Sequence, residues 1–142
     1  MKAKTKTIAI LLALLMIFSI ACNSSNEETV RRFATLFNET QDIGEGTTVF
    51  LFEATDGEDN TVSWNVHTNA ATVGDALFDL GMIDGSFSDF GLMVSHVHGL
   101  RADFDEDSAW WAFYIDGEMA MVGVDSADIE EGVTYAFVYT PA

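Results

Sequence analysis

Cysteine is almost absent from the chain, and this limits how the fold can be held together. Cys22 is the only cysteine among 142 residues. One thiol cannot form a disulfide within the chain, so a disulfide-stapled secreted fold is excluded. The length suits one domain that a hydrophobic core can stabilise by itself. We therefore expect a single domain without covalent cross-links.

Basic residues are also scarce, and they are unevenly placed. The chain has six lysines and arginines against 23 acidic residues. All three lysines lie within the first six residues, which leaves Arg31, Arg32 and Arg101 for the remainder. Nucleic acid is excluded as a partner because phosphates need basic patches, and anionic lipid head groups would be repelled as well. The acidic excess serves solubility, or it attracts cations or a cationic ligand.

The N-terminus has the pattern of an export signal. Three lysines precede an apolar run from Ile8 to Ile20, in which only Ser19 is polar. A basic start followed by a short apolar core is typical of a secretory signal peptide. The run is shorter than the roughly 20 residues that span a bilayer. We predict a signal peptide over residues 1–21.

Cys22 follows directly after this predicted signal peptide. The preceding Ser19-Ile20-Ala21 resembles the lipobox of bacterial lipoproteins, although that motif usually has leucine where this chain has Ser19. The resemblance implies that Cys22 is diacylated and becomes the mature N-terminus, and two acyl chains anchor a protein firmly. The protein would then be exported and held at the outer face of the cytoplasmic membrane through the lipid alone. The alternatives are ordinary cleavage near Cys22 and a buried free thiol.

Residues 22–46 are predicted to be a lipid-anchored tether. The segment starts with the polar run NSSNEET, and the following VRRFATLF can form a turn or two of helix. In such a helix, Val30, Phe33, Leu36 and Phe37 would lie on one side. The segment spaces the domain from the membrane, or its short helix docks on the domain.

Residues 47–142 are predicted to form a small α+β domain of five or six short strands and one helix. TTVFLFEA and VSWNVHT are rich in β-branched and aromatic residues, and the acidic turn between them indicates a hairpin. Thr72 caps the start of the helix, and Gly81 ends it. Further strands are predicted for LMVSHVHG, AWWAFYID, EMAMVGV and VTYAFVYT, whereas IDGSFSDFG is loop-like. One antiparallel or mixed sheet wrapped on the helix accommodates these elements.

Two histidines and an acidic loop are candidates for a metal site. His96 and His98 lie two apart on a predicted strand, so their side chains would share a face and could ligate zinc. Asp103 and Asp105 belong to the acidic segment DFDEDS, which departs from the EF-hand pattern at Ser108. Two ligands without a defined third do not close a site. We therefore predict no metal and keep these four residues as candidates only.

The densest aromatic cluster lies on the predicted strand AWWAFYID. Trp111 and Phe113 face one way on that strand, and Trp110 and Tyr114 face the other. One set belongs to the core, and the other forms either a covered second face or a flat apolar platform. Trp110, Trp111 and Tyr114 are therefore the candidate ligand-binding residues. The sequence has no nucleophile-elbow, phosphate-loop or metalloprotease motif, and we expect a protein that is not an enzyme.

The order of these segments resembles a family of bacterial lipoproteins, common in Gram-positive bacteria, that carry a transcobalamin-like C-terminal domain. The resemblance covers about Thr47 to Thr140 and rests on the helix and on an aromatic-Trp-x-x-Tyr-x-Asp-Gly segment. The matching residues are Thr72, Ala76, Leu77 and Gly81 in the helix, Trp110, Trp111, Tyr114, Asp116 and Gly117 in that segment, and Gly123, Glu131 and Gly132 downstream.

The resemblance implies a β-grasp-like fold that binds a ligand outside the cell. Cobalamin or another corrinoid is the leading ligand, and no cofactor is firmly implied. In cobalamin carriers a similar domain covers one face of cobalamin beside a large helical domain, so tight binding here would need a dimer or a second protein. The ligand would then pass to a transporter. The alternative is a protein-interaction module of the cell envelope with no small-molecule ligand, in which the aromatic face docks another envelope protein.

Overall fold

The computed structural model describes residues 40–142, and this part of the chain is mostly β-sheet with one α-helix. Its elements in chain order are β1 (Gln41–Gly44), β2 (Thr48–Thr55), β3 (Thr61–Thr68), α1 (Val73–Asp79), β4 (Ile83–Ser88), β5 (Gly91–Val97), β6 (Leu100–Arg101), β7 (Ala109–Ile115), β8 (Glu118–Met119), a 3-10 helix (Val124–Ser126) and β9 (Thr134–Pro141). The predicted α+β class is confirmed at this level. The predicted signal peptide, Cys22 and most of the predicted tether lie outside the described residues. Within residues 40–142, no helix is long and apolar enough to cross a membrane.

β2 and β3 form the predicted hairpin. The two strands pair antiparallel along their whole length, and both alternate buried and half-buried residues. This alternation follows because every second side chain of a strand points to the same face. The buried carboxylate of Asp56 closes the turn by accepting hydrogen bonds from the backbone N–H groups of Glu58 (2.8 Å) and Asn60 (2.9 Å).

The main sheet has six strands in the order β1-β3-β2-β9-β7-β8. β9 follows all the other strands in the chain, yet it lies inside the sheet, parallel to β2 and antiparallel to β7. β1 is an edge strand that pairs parallel with β3. Residues 41–44 therefore belong to the domain, although we predicted that the tether extends to residue 46. β1 satisfies backbone groups of β3 that would otherwise form an unpaired edge.

Side chains also join β1 to β3. The carboxylate of Asp42 accepts a hydrogen bond from Nδ2 of Asn65 (3.1 Å) and lies 3.4 Å from Nε2 of His67. The hydrogen bond from Asn65, followed by that from His67, lowers the pKa of Asp42 below its ordinary value. These three side chains share one face of the sheet.

α1 begins and ends where the sequence pattern predicts. Oγ1 of Thr72 accepts a hydrogen bond from the backbone N–H of Asp75 (3.2 Å) and so caps the N-terminus. Gly81 follows the helix with a φ of +68°, the left-handed conformation that favours glycine at helix ends. The helix buries Val73, Gly74, Ala76 and Leu77.

A second sheet of three strands, β4-β5-β6, was not predicted. Residues 83–88 resemble a loop in sequence because they are rich in glycine, serine and aspartate, but they form β4 and pair antiparallel with β5. Pairing with a partner strand overrides their low strand propensity. The opposite error occurs at EMAMVGV, which we predicted to be a strand. Only Glu118–Met119 of that segment is a strand, and Val124–Ser126 is a 3-10 helix.

The hydrophobic core joins one face of the main sheet to the layer formed by α1, the second sheet and the 3-10 helix. The main sheet contributes Phe50, Phe52, Trp64, Val66, Tyr135 and Phe137, and the other layer contributes Val73, Leu77, Ile83, Leu92, Val97 and Val124. Phe52 stacks on Trp64 at a ring-centroid distance of 5.4 Å, and such aromatic contacts add to the stabilisation from burial. The other face of the main sheet lies outside this core.

Candidate functional site

Trp111 lies in the core, on the inner face of β7. Only 5% of its surface is exposed, and its indole Nε1 donates a hydrogen bond to the backbone carbonyl of Leu100 (3.2 Å). Its ring meets the ring of Tyr139 edge to face, with 5.5 Å between centroids. We predicted Trp111 as a ligand-binding residue, but the structure uses it to join β6 to the main sheet. Strand alternation requires that one of two neighbouring tryptophans be buried, and it does not say which.

Trp110 and Tyr114 lie on the opposite face of β7. Trp110 is 39% exposed, Tyr114 is half-buried, and Ala112 between them is completely buried. We call this side of the main sheet the open face. It consists of Asp42 of β1, Ser63, Asn65 and His67 of β3, Val49, Leu51 and Glu53 of β2, Thr134, Ala136 and Val138 of β9, Trp110, Ala112 and Tyr114 of β7, and Met119 of β8.

The two candidate histidines do not share a face. β5 ends at Val97, and His98 has a φ of +48°, so the chain turns before a second strand position is reached. Nδ1 of His96 lies 2.9 Å from Oγ of Ser95. The ring of His98 lies against the ring of Trp64, with 4.9 Å between centroids. The predicted strand geometry of these histidines is therefore wrong.

The acidic segment after β6 uses its carboxylates to close its own loop. Oδ1 of Asp103 accepts hydrogen bonds from the backbone N–H groups of Asp105 (3.0 Å) and Glu106 (2.9 Å). Asp107 accepts two hydrogen bonds of 3.0 Å from the guanidinium of Arg101. Within residues 40–142, no group of three or more histidine, cysteine, aspartate or glutamate side chains is arranged to hold a metal ion.

The Arg101–Asp107 pair changes the acid-base behaviour of both groups. The hydrogen bond from Arg101 is the main reason that the pKa of Asp107 lies below its ordinary value. In turn, the hydrogen bond to Asp107 raises the pKa of Arg101. A contact between Nη1 of Arg101 and Oε2 of Glu106, at 2.8 Å, completes the cluster. The guanidinium is thus engaged by two carboxylates of its own loop.

Four large apolar side chains that the sequence analysis did not select are exposed in or next to two loops. We call them the apolar rim: Phe87 and Phe90 of the β4–β5 hairpin, and Met121 and Val122 after β8. Their exposed fractions are 69%, 93%, 96% and 49%, respectively. Single apolar residues on a surface are ordinary, but a group of them marks a surface that binds a ligand or a partner. The sequence did hold one signal for this surface, which is the presence of phenylalanines within a segment of glycine, serine and aspartate.

Asp125 brings these two loops together. A Cβ atom on Gly91 would lie 2.6 Å from Oδ2 of Asp125, and one on Gly123 would lie 2.7 Å from Oδ1. With glycine at both positions, the hairpin and the loop can approach this carboxylate from two sides. Phe90 precedes Gly91 and Val122 precedes Gly123 in the chain. The apolar rim thus flanks the contact that Asp125 makes.

The apolar rim continues onto α1 through an aromatic pair. The rings of Phe78 and Phe87 meet edge to face with 6.1 Å between centroids, and 42% of Phe78 is exposed. Such a pair holds the hairpin side chain against the helix and reduces its rotamer freedom before any ligand binds. A preordered aromatic surface loses less conformational entropy on binding.

The described part of the chain is strongly acidic. Three of the 23 acidic residues (Glu27, Glu28 and Glu39) precede residue 40, which leaves 20 in the described part against Arg101 as its only lysine or arginine. Because Arg101 is engaged by Asp107 and Glu106, the surface favours neutral or cationic ligands over anions.

Two cavities of modest size lie on the domain. One of about 250 Å³ is lined by Ile115, Asp116, Val122, Ser126, Ala127, Asp128, Glu130, Val133 and Tyr135. The other, of about 350 Å³, is lined by Asp56, Gly57, Glu58, Leu100, Arg101, Asp107 and Tyr139. Sites that enclose small molecules measure about 300–1,000 Å³. A large flat ligand would therefore lie across the surface, and the first cavity adjoins the apolar rim at Val122.

The fold is similar to two solved structures. One is a crystal structure, at 1.30 Å resolution, of a candidate metal-binding protein from Ruminococcus gnavus ATCC 29149, with 20% identity and a TM-score of 0.64 over 68% of this chain and 99% of that chain. The other is haptocorrin in complex with Cbi, with 17% identity and a TM-score of 0.53 over 70% of this chain and 26% of haptocorrin. At these identities the likeness concerns the fold alone. The resemblance to transcobalamin-like proteins is supported at that level.

Sequence comparison places the chain in a family. No curated protein matches it. Residues 70–140, which are half of the chain, match a family described as a domain of unknown function, DUF4430. The matched range contains the apolar rim, Asp125, and Trp110 with its neighbours on β7. The chain therefore belongs to the DUF4430 family.

Proposed function

We propose that this protein is an exported, lipid-anchored binding protein that captures a corrinoid or a similarly large, flat ligand outside the cell. It works without catalysis, presents a β-grasp-like domain to the ligand, and passes the ligand to a transporter. The observation that carries the proposal is the apolar rim, in which Phe90 and Met121 are almost fully exposed. Covering such side chains removes apolar surface from water, which favours binding.

The likeness to haptocorrin supports a corrinoid as the first ligand to test. That protein is in complex with Cbi, and the shared fold extends over 26% of its chain. The corresponding part of haptocorrin is therefore one portion of a larger protein. A second surface, supplied by a transporter or another envelope protein, would cover the side of the ligand that this domain leaves open.

The acidic surface also suits this class of ligand. A phosphorylated or strongly anionic ligand would meet 20 carboxylates and one engaged arginine in the described part of the chain. Neutral or cationic corrinoids avoid that repulsion. Salt should therefore have little effect on the affinity for a neutral ligand, because no ion pairs would form.

The test is a fluorescence titration of the full chain in detergent micelles with cobinamide and cobalamin. Its three tryptophans report a nearby corrin ring through quenching, after correction for absorption by the ligand. We expect saturable quenching in wild type. In the Phe90→Ala, Met121→Ala double variant we expect an affinity lower by about tenfold or more, or about 1.4 kcal/mol.

Phe104→Ala is the matched control, because Phe104 is 67% exposed but lies in the β6–β7 loop, outside the apolar rim. It should bind as wild type does. Trp110→Ala separates the two surfaces: if it abolishes binding while the rim variant does not, the ligand lies on the open face. Absence of saturable quenching with either corrinoid would refute the proposed ligand.

A second candidate function is a protein-interaction module, which the exposure of Trp110 on the open face favours. In that case Trp110 docks an envelope protein and no small molecule is involved. Affinity capture from envelope extract should recover one partner with wild type and lose it with Trp110→Ala. If wild type and Trp110→Ala recover the same proteins, the interaction-module function is refuted.

A further inference from the structure

We propose that residues 30–37, which precede the described domain, dock on the open face of the main sheet and cover its centre. This proposal concerns a surface separate from the apolar rim. It does not depend on the proposed ligand. The occupant is a segment of the same chain, so the contact forms within one molecule.

The centre of the open face is apolar, and this favours a segment that covers it. Leu51, Ala136 and Val138 are half-buried on the central strands β2 and β9, and completely buried Ala112 lies beside them on β7. β2 and β9 pair parallel, and parallel strands are usually covered on both faces. Within residues 40–142, however, the hydrophobic core covers only the opposite face.

The register position at which the chain enters β1 suits this docking. Asp42 on β1 is aligned with Asn65, which is aligned with Leu51 on β2. Asp42, Asn65 and Leu51 thus form one row of paired residues across the strands. The chain before Gln41 therefore leaves β1 beside the neighbouring row of the open face. That row contains Ser63, Glu53, Ala136, Tyr114 and Met119 in successive strands.

The distances are compatible with this path. Strands lie about 4.8 Å apart, so β2 and β9 are about 10 Å and 14 Å from β1. Residues 38–40 can span about 10 Å when extended. A helix of eight residues is about 12 Å long. Residues 30–37 can thus reach the centre of the open face, whereas Trp110, on β7, lies near the limit of this reach.

Charge and apolar pattern complement the open face. Arg31 and Arg32 are the only basic residues between the N-terminal lysines and Arg101, and the open face presents the carboxylates of Asp42 and Glu53. In the predicted helix, Val30, Phe33, Leu36 and Phe37 lie on one side. Apolar side chains would then face Leu51 and Ala136 while the arginines reach acidic groups at the margin.

The test measures access to the centre of the open face in the full chain. Cys22→Ser removes the native thiol, Leu51→Cys adds one reporter thiol, and a maleimide reagent labels it in detergent micelles. We expect labelling to be about tenfold faster when Phe33→Glu and Phe37→Glu are added, which corresponds to about 1.4 kcal/mol of docking free energy. The Arg31→Glu, Arg32→Glu double variant should also label faster than the protein that keeps both arginines.

Phe104→Cys is the control reporter, because Phe104 is exposed in a loop away from the open face. Its labelling rate should be the same with and without the Phe33 and Phe37 substitutions. If Leu51→Cys unfolds the domain, Ala136→Cys reports from the neighbouring strand β9. Equal labelling rates at the open-face reporter in both backgrounds would overturn the proposal. Protection that grows with protein concentration would also overturn it, since a second copy would then be the cover.

Discussion

At the scale of single residues, the contact around Asp125 decides how the apolar rim is built. Gly91 and Gly123 flank its carboxylate, and Gly74 of α1 approaches its backbone. One short 3-10 helix therefore meets the hairpin and the β8 loop through its carboxylate, and α1 through its backbone, where a side chain on Gly74 would have no room. Sequence periodicity cannot reveal such a contact, because Gly74 and Gly91 are far from Asp125 in the chain.

Gly74→Ala should reverse the usual effect of alanine in a helix. Alanine normally stabilises a helix by up to about 1 kcal/mol relative to glycine. Here its Cβ would lie 2.7 Å from Cα of Asp125, and backbone cannot yield as a flexible side chain can. We expect a loss of about 1–3 kcal/mol of unfolding free energy, measured by urea denaturation. Asp79→Ala, at an exposed helix position, is the control and should leave stability within about 0.5 kcal/mol of wild type.

The two adjacent tryptophans should differ sharply in their contribution to stability. Trp111→Phe removes the hydrogen bond to Leu100 and leaves a cavity in the core, for a cost of about 1–3 kcal/mol. Trp110→Phe alters a partly exposed ring and should cost less than about 0.5 kcal/mol. Thermal or urea unfolding of both variants measures the difference. Equal costs would show that the assignment of faces on β7 is mistaken.

At the scale of elements, the β6–β7 connection is held by the Arg101–Asp107 pair. Asp107 also accepts a hydrogen bond from the backbone N–H of Asp103 (3.0 Å), so one carboxylate joins both ends of the loop. The acidic segment DFDEDS is therefore a turn closed by its own side chains.

The contribution of this pair to stability should depend on pH. The folded-state pKa of Asp107 lies below its ordinary value of 3.8, so its carboxylate stabilises the fold above that pH. This contribution is lost as the pH falls through the lower folded-state pKa. Asp107→Asn should therefore destabilise the protein at about pH 7, and its difference from wild type should shrink below about pH 4. Urea unfolding across this range tests it, with the exposed Asp105→Asn variant as the control for removal of a carboxylate from the same loop.

Elements with strong local signals were predicted well, and strands that lack such signals and depend on pairing were not. α1 has a Thr72 cap and Gly81 at its end, and the β2–β3 hairpin has an acidic turn between alternating strands, so both could be recognised from adjacent residues. β4 lacks such signals because its strand conformation comes from pairing with β5. β1 was missed for the same reason, since it needs β3 as a partner.

At the scale of the whole molecule, charge is the dominant property. With 20 acidic residues against Arg101 in the described part, the folded domain brings carboxylates closer together than the unfolded chain does. This repulsion opposes folding and is screened by salt. The hydrophobic core must offset it without any disulfide, since Cys22 has no intramolecular partner.

We therefore expect the melting temperature to rise with sodium chloride. Increasing the ionic strength from about 0.01 M to 0.15 M shortens the Debye length from about 30 Å to 8 Å. Each kcal/mol by which screening reduces the repulsion in the folded state should raise the melting temperature by about 4–8 °C. A circular dichroism melt measures this shift. The same titration at about pH 4, where carboxylates are partly protonated, should show a smaller increase. A melting temperature that does not respond to salt at neutral pH would mean that repulsion is unimportant.

The sequence by itself determined the α+β class, the first hairpin, the capped helix and the acidic character of the domain. These features depend on neighbouring residues or on composition, and they leave a direct pattern in the chain. Only the tertiary structure decided that Trp111 turns inward, that β4 and β1 are strands, and that Gly91 and Gly123, next to the exposed rim residues Phe90 and Val122, approach Asp125 from two sides. The physical reason is that these outcomes depend on strand pairing and on close approach between segments, where the free energy of contact outweighs local preference.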